Sequence, residues 1–104
     1  MNEVTEKIIE FRDKRDWKQF HTPENLSKSI IIEAAELLEH FQWDNQFDVN
    51  EVKEELADVL IYSILMAIEL NLDINEIILE KIKKNDEKYP VNKSKGNSLK
   101  YTEL

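Results

Sequence analysis

The chain is 104 residues long, carries 14 basic against 22 acidic residues for a net charge of −8, and has no cysteine. That length limits it to one small domain with a modest core, and the charge argues against non-specific affinity for nucleic acid or anionic membranes. Without thiols, disulfides, thiolate catalysis and zinc–thiolate sites are excluded.

Gly96, in the tail, is the only glycine, and Pro23 and Pro90 are the only prolines. The chain therefore has no glycine-rich phosphate loop and no Asn-Gly or Asp-Gly hairpin, so function must be built from helix faces. The N-terminal stretch MNEVTEKIIEF is charged throughout, unlike a signal peptide. The longest apolar run, VLIYSILMAI (59–68), is too short to span a bilayer. A cytoplasmic protein with no membrane partner is expected.

The first predicted helix runs from about Asn2 to Lys14, with Val4, Ile8, Ile9 and Phe11 on one side. The loop RDWKQFHT follows and is unusually aromatic. Thr22 is a good N-cap with Pro23 in the first helical position, and the second helix runs to about Phe41. After the loop QWDNQFDV, Asp48 and Glu51 have capping-box spacing, and the third helix runs to about Leu70. Asp73 and Glu76 repeat that spacing, the fourth helix runs to about Tyr89, and Pro90 stops it. The tail VNKSKGNSLKYTEL is polar and expected to be irregular. No internal repeat, low-complexity segment or second domain is visible, so residues 1–104 read as a single domain with 92–104 as a polar tail.

At 100° per residue, Leu26, Ile30, Ala34, Leu37, Leu38 and Phe41 share one stripe of the second helix, which is predicted to be buried. Glu33 falls at the edge of that stripe, Glu36 one step further round, and Glu39 on the outer side with Lys28. On the third helix, Glu55, Asp58 and Tyr62 form a polar strip along a surface that is apolar almost all round from Val59 onward, which implies burial on several sides. Two such helices facing each other could bring Glu33, Glu36, Glu55 and Asp58 together. Four partly buried carboxylates repel and resist desolvation unless some bind protons or a hard divalent cation joins them. Mg²⁺ suits carboxylates, retained waters and substrate phosphates. No neighbouring histidine is expected to complete the set, so the site reads as oxygen-only. The competing reading of each acid pair is an ordinary solvated face.

On the fourth helix, Lys81, Asn85 and Lys88 border the apolar face that carries Ile74 and Ile78. They could hold phosphate oxygens across a cleft or simply extend into solvent. Trp17, Phe20 and His21 before the second helix and Trp43 after it could stack on a nucleobase or plug the open ends of a helix bundle.

These residues together resemble the MazG-like nucleoside triphosphate pyrophosphohydrolases of the all-α NTP pyrophosphatase superfamily. The signature ExxE followed by ExxD is Glu33-Ala-Ala-Glu36 and Glu55-Leu-Ala-Asp58. RDWKQFHTPENL, ELLEHFQW, EELADVLIY, NDEKYP and KYTEL resemble the dCTP pyrophosphatase branch in order, from roughly residue 10 to the end. Ile32 stands where many relatives carry a further Glu, a departure that this branch shares.

The resemblance implies an antiparallel all-α bundle of about four helices, completed by oligomerisation as a dimer or dimer of dimers. It implies Mg²⁺, with Mn²⁺ as the other candidate, held by Glu33, Glu36, Glu55 and Asp58, with Glu33 or Glu36 acting on the attacking water. It implies base and sugar contacts from Trp17, His21, Asn25, Trp43 and Tyr62, and phosphate contacts from Lys81, Asn85, Lys88 and Tyr89. The expected activity is hydrolysis of a (deoxy)nucleoside triphosphate, dCTP or a modified dCTP, to monophosphate and pyrophosphate, which would clear the nucleotide pool. Two other classes are weighed against it. A di-iron carboxylate bundle needs Glu-x-x-His pairs, and His40 follows Glu36 by four residues and Glu39 by one, so the pair is absent. A non-catalytic helical interaction module would bind no Mg²⁺.

Overall fold

The computed structural model describes residues 2–43 and 46–103; residues 44 and 45 of the loop QWDNQFDV and the final Leu104 of KYTEL lie outside the described residues. Among the described residues all regular structure is helical. The helices are α1 (Glu3–Lys14), α2 (Pro23–Glu39), α3 (Val49–Glu69), α4 (Ile74–Lys88) and a one-turn α5 (Val91–Ser94), with 3₁₀ turns at Lys18–Phe20 and Tyr101–Glu103. The four long helices stand where the periodicity places them. The tail is less irregular than expected: Pro90 ends α4 and its carbonyl then accepts from Lys93 and Ser94 N–H, opening α5.

The caps follow the sequence signals. The Asn2 side chain accepts from Thr5 N–H at 2.9 Å, Thr22 from Asn25 N–H at 3.1 Å, and Asp73 from Glu76 N–H at 2.9 Å. Asp48 accepts from Asn50 N–H at 2.8 Å, while Glu51, spaced for a capping box, lies 3.6 Å from His40 Nδ1 instead. Helix α2 ends at Glu39, two residues before the predicted end, because Phe41 and Gln42 N–H bond three residues back at 2.9 and 3.2 Å, which tightens the last turn. At the end of α1, Asp16 takes a left-handed φ of 54°. Trp17 N–H then bonds the Arg12 carbonyl at 3.1 Å and Asp16 N–H that of Asp13 at 3.1 Å. This Schellman closure folds Trp17 back against α1, where its ring meets Phe11 edge-on at 5.7 Å.

The chain forms two compact units, Met1–Asn71 and Leu72–Leu104. In the first, α2 packs on α3 and α1 lies against α3, around a small core of Ile8, Leu26 and Leu65 flanked by Tyr62, Ile64 and Met66. The α2–α3 pair is antiparallel. Ascending α2 through Leu26, Glu33, Glu36 and His40, the partners descend α3 through Leu65, Asp58, Glu55 and Glu51. In the second unit, Tyr89 meets Tyr101 edge-on at 6.2 Å, and Lys88 Nζ lies 5.0 Å from the Tyr101 ring.

One expectation about burial is corrected. Helix α2 does not bury the arc through Ala34 and Leu38; both are exposed, Leu38 at 68%. The residues it covers are Leu26, Ser29, Ile30, Glu33, Glu36, Leu37 and His40. The buried face is centred near Glu33, so the acids occupy the seam rather than its edge. The third helix is likewise less enclosed than its composition suggests, with Leu56, Leu60 and Ile61 exposed at 46, 53 and 37%.

Candidate metal centre

The seam brings carboxylates from two helices to one point. Glu33 of α2 and Glu55 and Asp58 of α3 each offer an oxygen within 4.8 Å of the other two. The sequence spacing explains this. An i, i+3 step keeps side chains on one helix face, and the antiparallel register sets the α2 pair opposite the α3 pair. Glu36 lies outside that trio but close enough to Glu33 and Glu55 to act on both.

The electrostatics are those of a site short of positive charge. Burial, then the Glu36 carboxyl beside it, then Asp58 and Glu55 raise the Glu33 pKa from 4.5 to about 7. Burial and Glu36 raise that of Glu55, partly offset by His40. Burial, then Glu33 and Asp58, push the Tyr62 phenol up, so it stays protonated as a donor. Glu33 Oε2 is buried with no hydrogen-bond partner among the described residues. An orphaned carboxylate oxygen at the centre of an all-oxygen cluster fits a hard divalent cation.

His40 departs from the sequence reading. Its Nε2 lies 3.7 Å from Glu55 Oε1, so a histidine does stand beside the acids. It was legible only in part: His40 is one turn beyond Glu36, but its meeting with Glu55 depends on the helix register.

A cavity of about 840 Å³ opens beside the cluster. Glu33 and Asp58 line it, together with Tyr62 and Leu65 of α3, Ile8, Phe11 and Arg12 of α1, and the loop residues Trp17 and His21. Three of the five expected base-side residues, Trp17, His21 and Tyr62, are therefore gathered there. Asn25 is not; its Nδ2 donates to the Phe20 carbonyl at 3.0 Å and holds the aromatic turn against the start of α2. Trp43 is also outside the cavity wall, and 87% exposed. Lys81, Asn85 and Lys88 lie exposed on α4, and Tyr89 is half-buried just beyond it, all in the second unit. Arg12, buried in the cavity wall, is the residue that the sequence reading missed.

The chain matches the MazG-like family over residues 28–104. Proteins named dCTP pyrophosphatase 1 from Mus musculus and Homo sapiens are each 37% identical to it, over 91% of this chain and 62% of theirs. The chain thus spans about 62% of the length of these curated relatives. A crystal structure of a pyrophosphatase from Archaeoglobus fulgidus is similar with a TM-score of 0.79 at 43% identity, covering 85% of this chain and 90% of that one. The chain belongs to the MazG-like family.

Proposed function

We propose that this member of the MazG-like family hydrolyses a deoxynucleoside triphosphate, with dCTP or a modified dCTP preferred, to the monophosphate and pyrophosphate. The observation that carries the reading is the meeting of Glu33, Glu55 and Asp58, with Glu36 beside them, next to a cavity whose wall holds Glu33, Asp58, Trp17, His21 and Tyr62. The names of the mouse and human relatives and of the archaeal structure support it.

In this reaction a water oxygen bonds to the α-phosphorus, the bond from that phosphorus to the bridging oxygen breaks, and pyrophosphate leaves. Bound Mg²⁺, with Mn²⁺ as the other candidate, supplies charge neutralisation and polarisation of phosphate oxygens. The four carboxylates would hold it. Glu33 or Glu36 orients the water and takes its proton on a carboxylate oxygen. Tyr62 keeps its phenol proton for donation towards the substrate. Trp17 and His21 flank the base and sugar, and Asn25 keeps the aromatic turn in place. Trp43 as a base contact, and Lys81, Asn85, Lys88 and Tyr89 as phosphate contacts, belong to the proposal through the family resemblance.

The same proposal includes one MazG-like domain over residues 1–104, pool sanitation as the role, the cytoplasm as the compartment, and a dimer or dimer of dimers as the working form. Exposed apolar residues on both seam helices, Ile31 at 70%, Leu38 at 68% and Leu60 at 53%, support burial against a second copy.

The experiment is pyrophosphate release from a panel of the common NTPs and dNTPs with and without Mg²⁺. Mg²⁺-dependent release with dCTP preferred is expected. Release from another nucleotide would keep the reaction and discard the base. No release by the folded protein would leave the non-catalytic interaction module.

A further inference from the structure

Arg12 is the one fully buried charged residue among those described, at 6% exposure. A guanidinium does not shed its proton, so burying one is costly unless acceptors surround it. Asp13 takes its Nε at 2.9 Å; no described residue accepts a hydrogen bond from either Nη nitrogen. The side chain forms part of the cavity wall. Two donor groups in a fixed fork therefore stand in a cavity without a protein partner.

Its position says what it could meet. Ile8, one turn earlier on the same face of α1, packs in the core with Leu26 and Leu65, and His21 feels the charges of both Arg12 and Glu69, one turn beyond Leu65, which puts Arg12 at the Leu65 end of the cavity. Asp58 and Glu33 mark the other end. Asp58 and Leu65 are two turns apart on α3, about 10 Å, roughly the span from the phosphate of a nucleotide to the edge of its base. Next to Arg12 stands His21. Burial, and then the charge of Arg12, hold its pKa below the ordinary value, with Glu69 opposing them. Its buried Nδ1 has no hydrogen-bond partner among the described residues. Trp17 and Phe11, in edge contact, add aromatic surface to the same cavity wall.

We propose that Arg12 is a specificity-determining residue that reads the base: its Nη groups donate to O2 and N3 of a cytosine. This rests on the nucleotide reading of the cavity given above. Cytosine offers two adjacent acceptors to a two-donor fork. Uracil and thymine keep the O2 acceptor but carry a proton on N3, so the Nη group opposite N3 would face a donor and lose its partner. The phosphates are not the counterpart, because the cation-binding end lies two turns away.

The test is calorimetric binding of dCMP, dUMP and 3-deaza-dCMP, which lacks the N3 acceptor, to the intact protein with Mg²⁺. It is repeated on Arg12→Gln and Arg12→Lys after their melting curves show them folded. One well-formed bidentate pair discriminates by about 5- to 150-fold. Wild type should bind dCMP tighter than both other nucleotides by that factor. Arg12→Gln should erase the gap, and Arg12→Lys, which keeps charge but loses the fork, should leave a smaller one. Equal binding of dCMP and 3-deaza-dCMP to wild type overturns the proposal, and needs no variant to fold. So does Arg12→Gln weakening all three alike, which would mean a phosphate or structural role, and so does failure of wild type to bind any of them. A dCMP preference that depends on Arg12, with no pyrophosphate released from any triphosphate, would sink the proposed reaction and leave the base reading standing. Pyrophosphate release with no dependence of base choice on Arg12 would do the reverse.

Discussion

Replacing Glu33 by glutamine should make the metal-free protein more stable at alkaline pH, while removing its response to Mg²⁺. The Glu33 carboxyl has a folded pKa of about 7 against an ordinary 4.5, so the folded state holds the proton more tightly than the unfolded one. Its contribution is therefore fully present below pH 4.5 and is lost as the pH rises through about 7. The gap between those values corresponds to about 3 kcal/mol, or roughly 12–24 °C in melting temperature for a chain of this size. Glutamine is isosteric, never ionises, and can donate its amide N–H to Glu36. Melting curves of chelator-treated wild type and Glu33→Gln at pH 5 and pH 8 isolate the effect, because other titrating groups are common to both. The variant should exceed wild type only slightly at pH 5 and by most of that amount at pH 8. Saturating Mg²⁺ should raise wild type by about 3 kcal/mol at a hundred times its dissociation constant and the variant by much less. Equal stability of the two at pH 8, or an equal Mg²⁺ response, would refute the idea that these carboxylates conflict until a cation joins them.

Glu36→Ala should lower pyrophosphate release by about 10²–10⁴-fold with the circular dichroism spectrum unchanged; near-full activity would remove Glu36 from the site. Leu26→Ala, at the most buried position (1% exposed), should cost about 2–5 kcal/mol in urea unfolding, and a loss below about 1 kcal/mol would show that the small core matters less than the geometry implies. Light scattering at micromolar concentration should return the mass of a dimer or tetramer, and Leu38→Glu should shift it downward; a wild-type monomer would count against the proposed assembly.

Much of this was legible in the sequence because it rests on local rules. The Thr22-Pro23 start, the Asp48 and Asp73 caps and the stop at Pro90 are each set by a few neighbouring residues, and each appears as read. The pairing of Glu33 and Glu36 with Glu55 and Asp58 was also readable, since both pairs repeat at helical spacing. The depth of the acids was not. Periodicity gives the angle of every residue on α2 but not the arc that a partner covers, and Ala34 and Leu38 kept the alternative arc plausible on hydrophobicity alone. His40 and Arg12 were missed for a related reason. Each lies one helical turn from a residue already placed, Glu36 and Ile8, but its significance depends on what another helix puts opposite it.

The rotation of α2 towards its acids has a consequence for stability. A seam centred on carboxylates gives up the apolar contacts that Leu38 and Ile31 would have made there, and Glu33 adds a penalty above pH 7. The core that remains, Ile8, Leu26 and Leu65, is small for the chain. Two separate sources can restore the balance: a cation in the seam, and a second copy over the exposed apolar arcs of α2 and α3. Mg²⁺ and protein concentration should then raise the melting temperature independently. The seam acids lie on the covered face of α2 and Leu38 on the exposed one, so Leu38→Glu should abolish the concentration dependence while leaving the Mg²⁺ response in place.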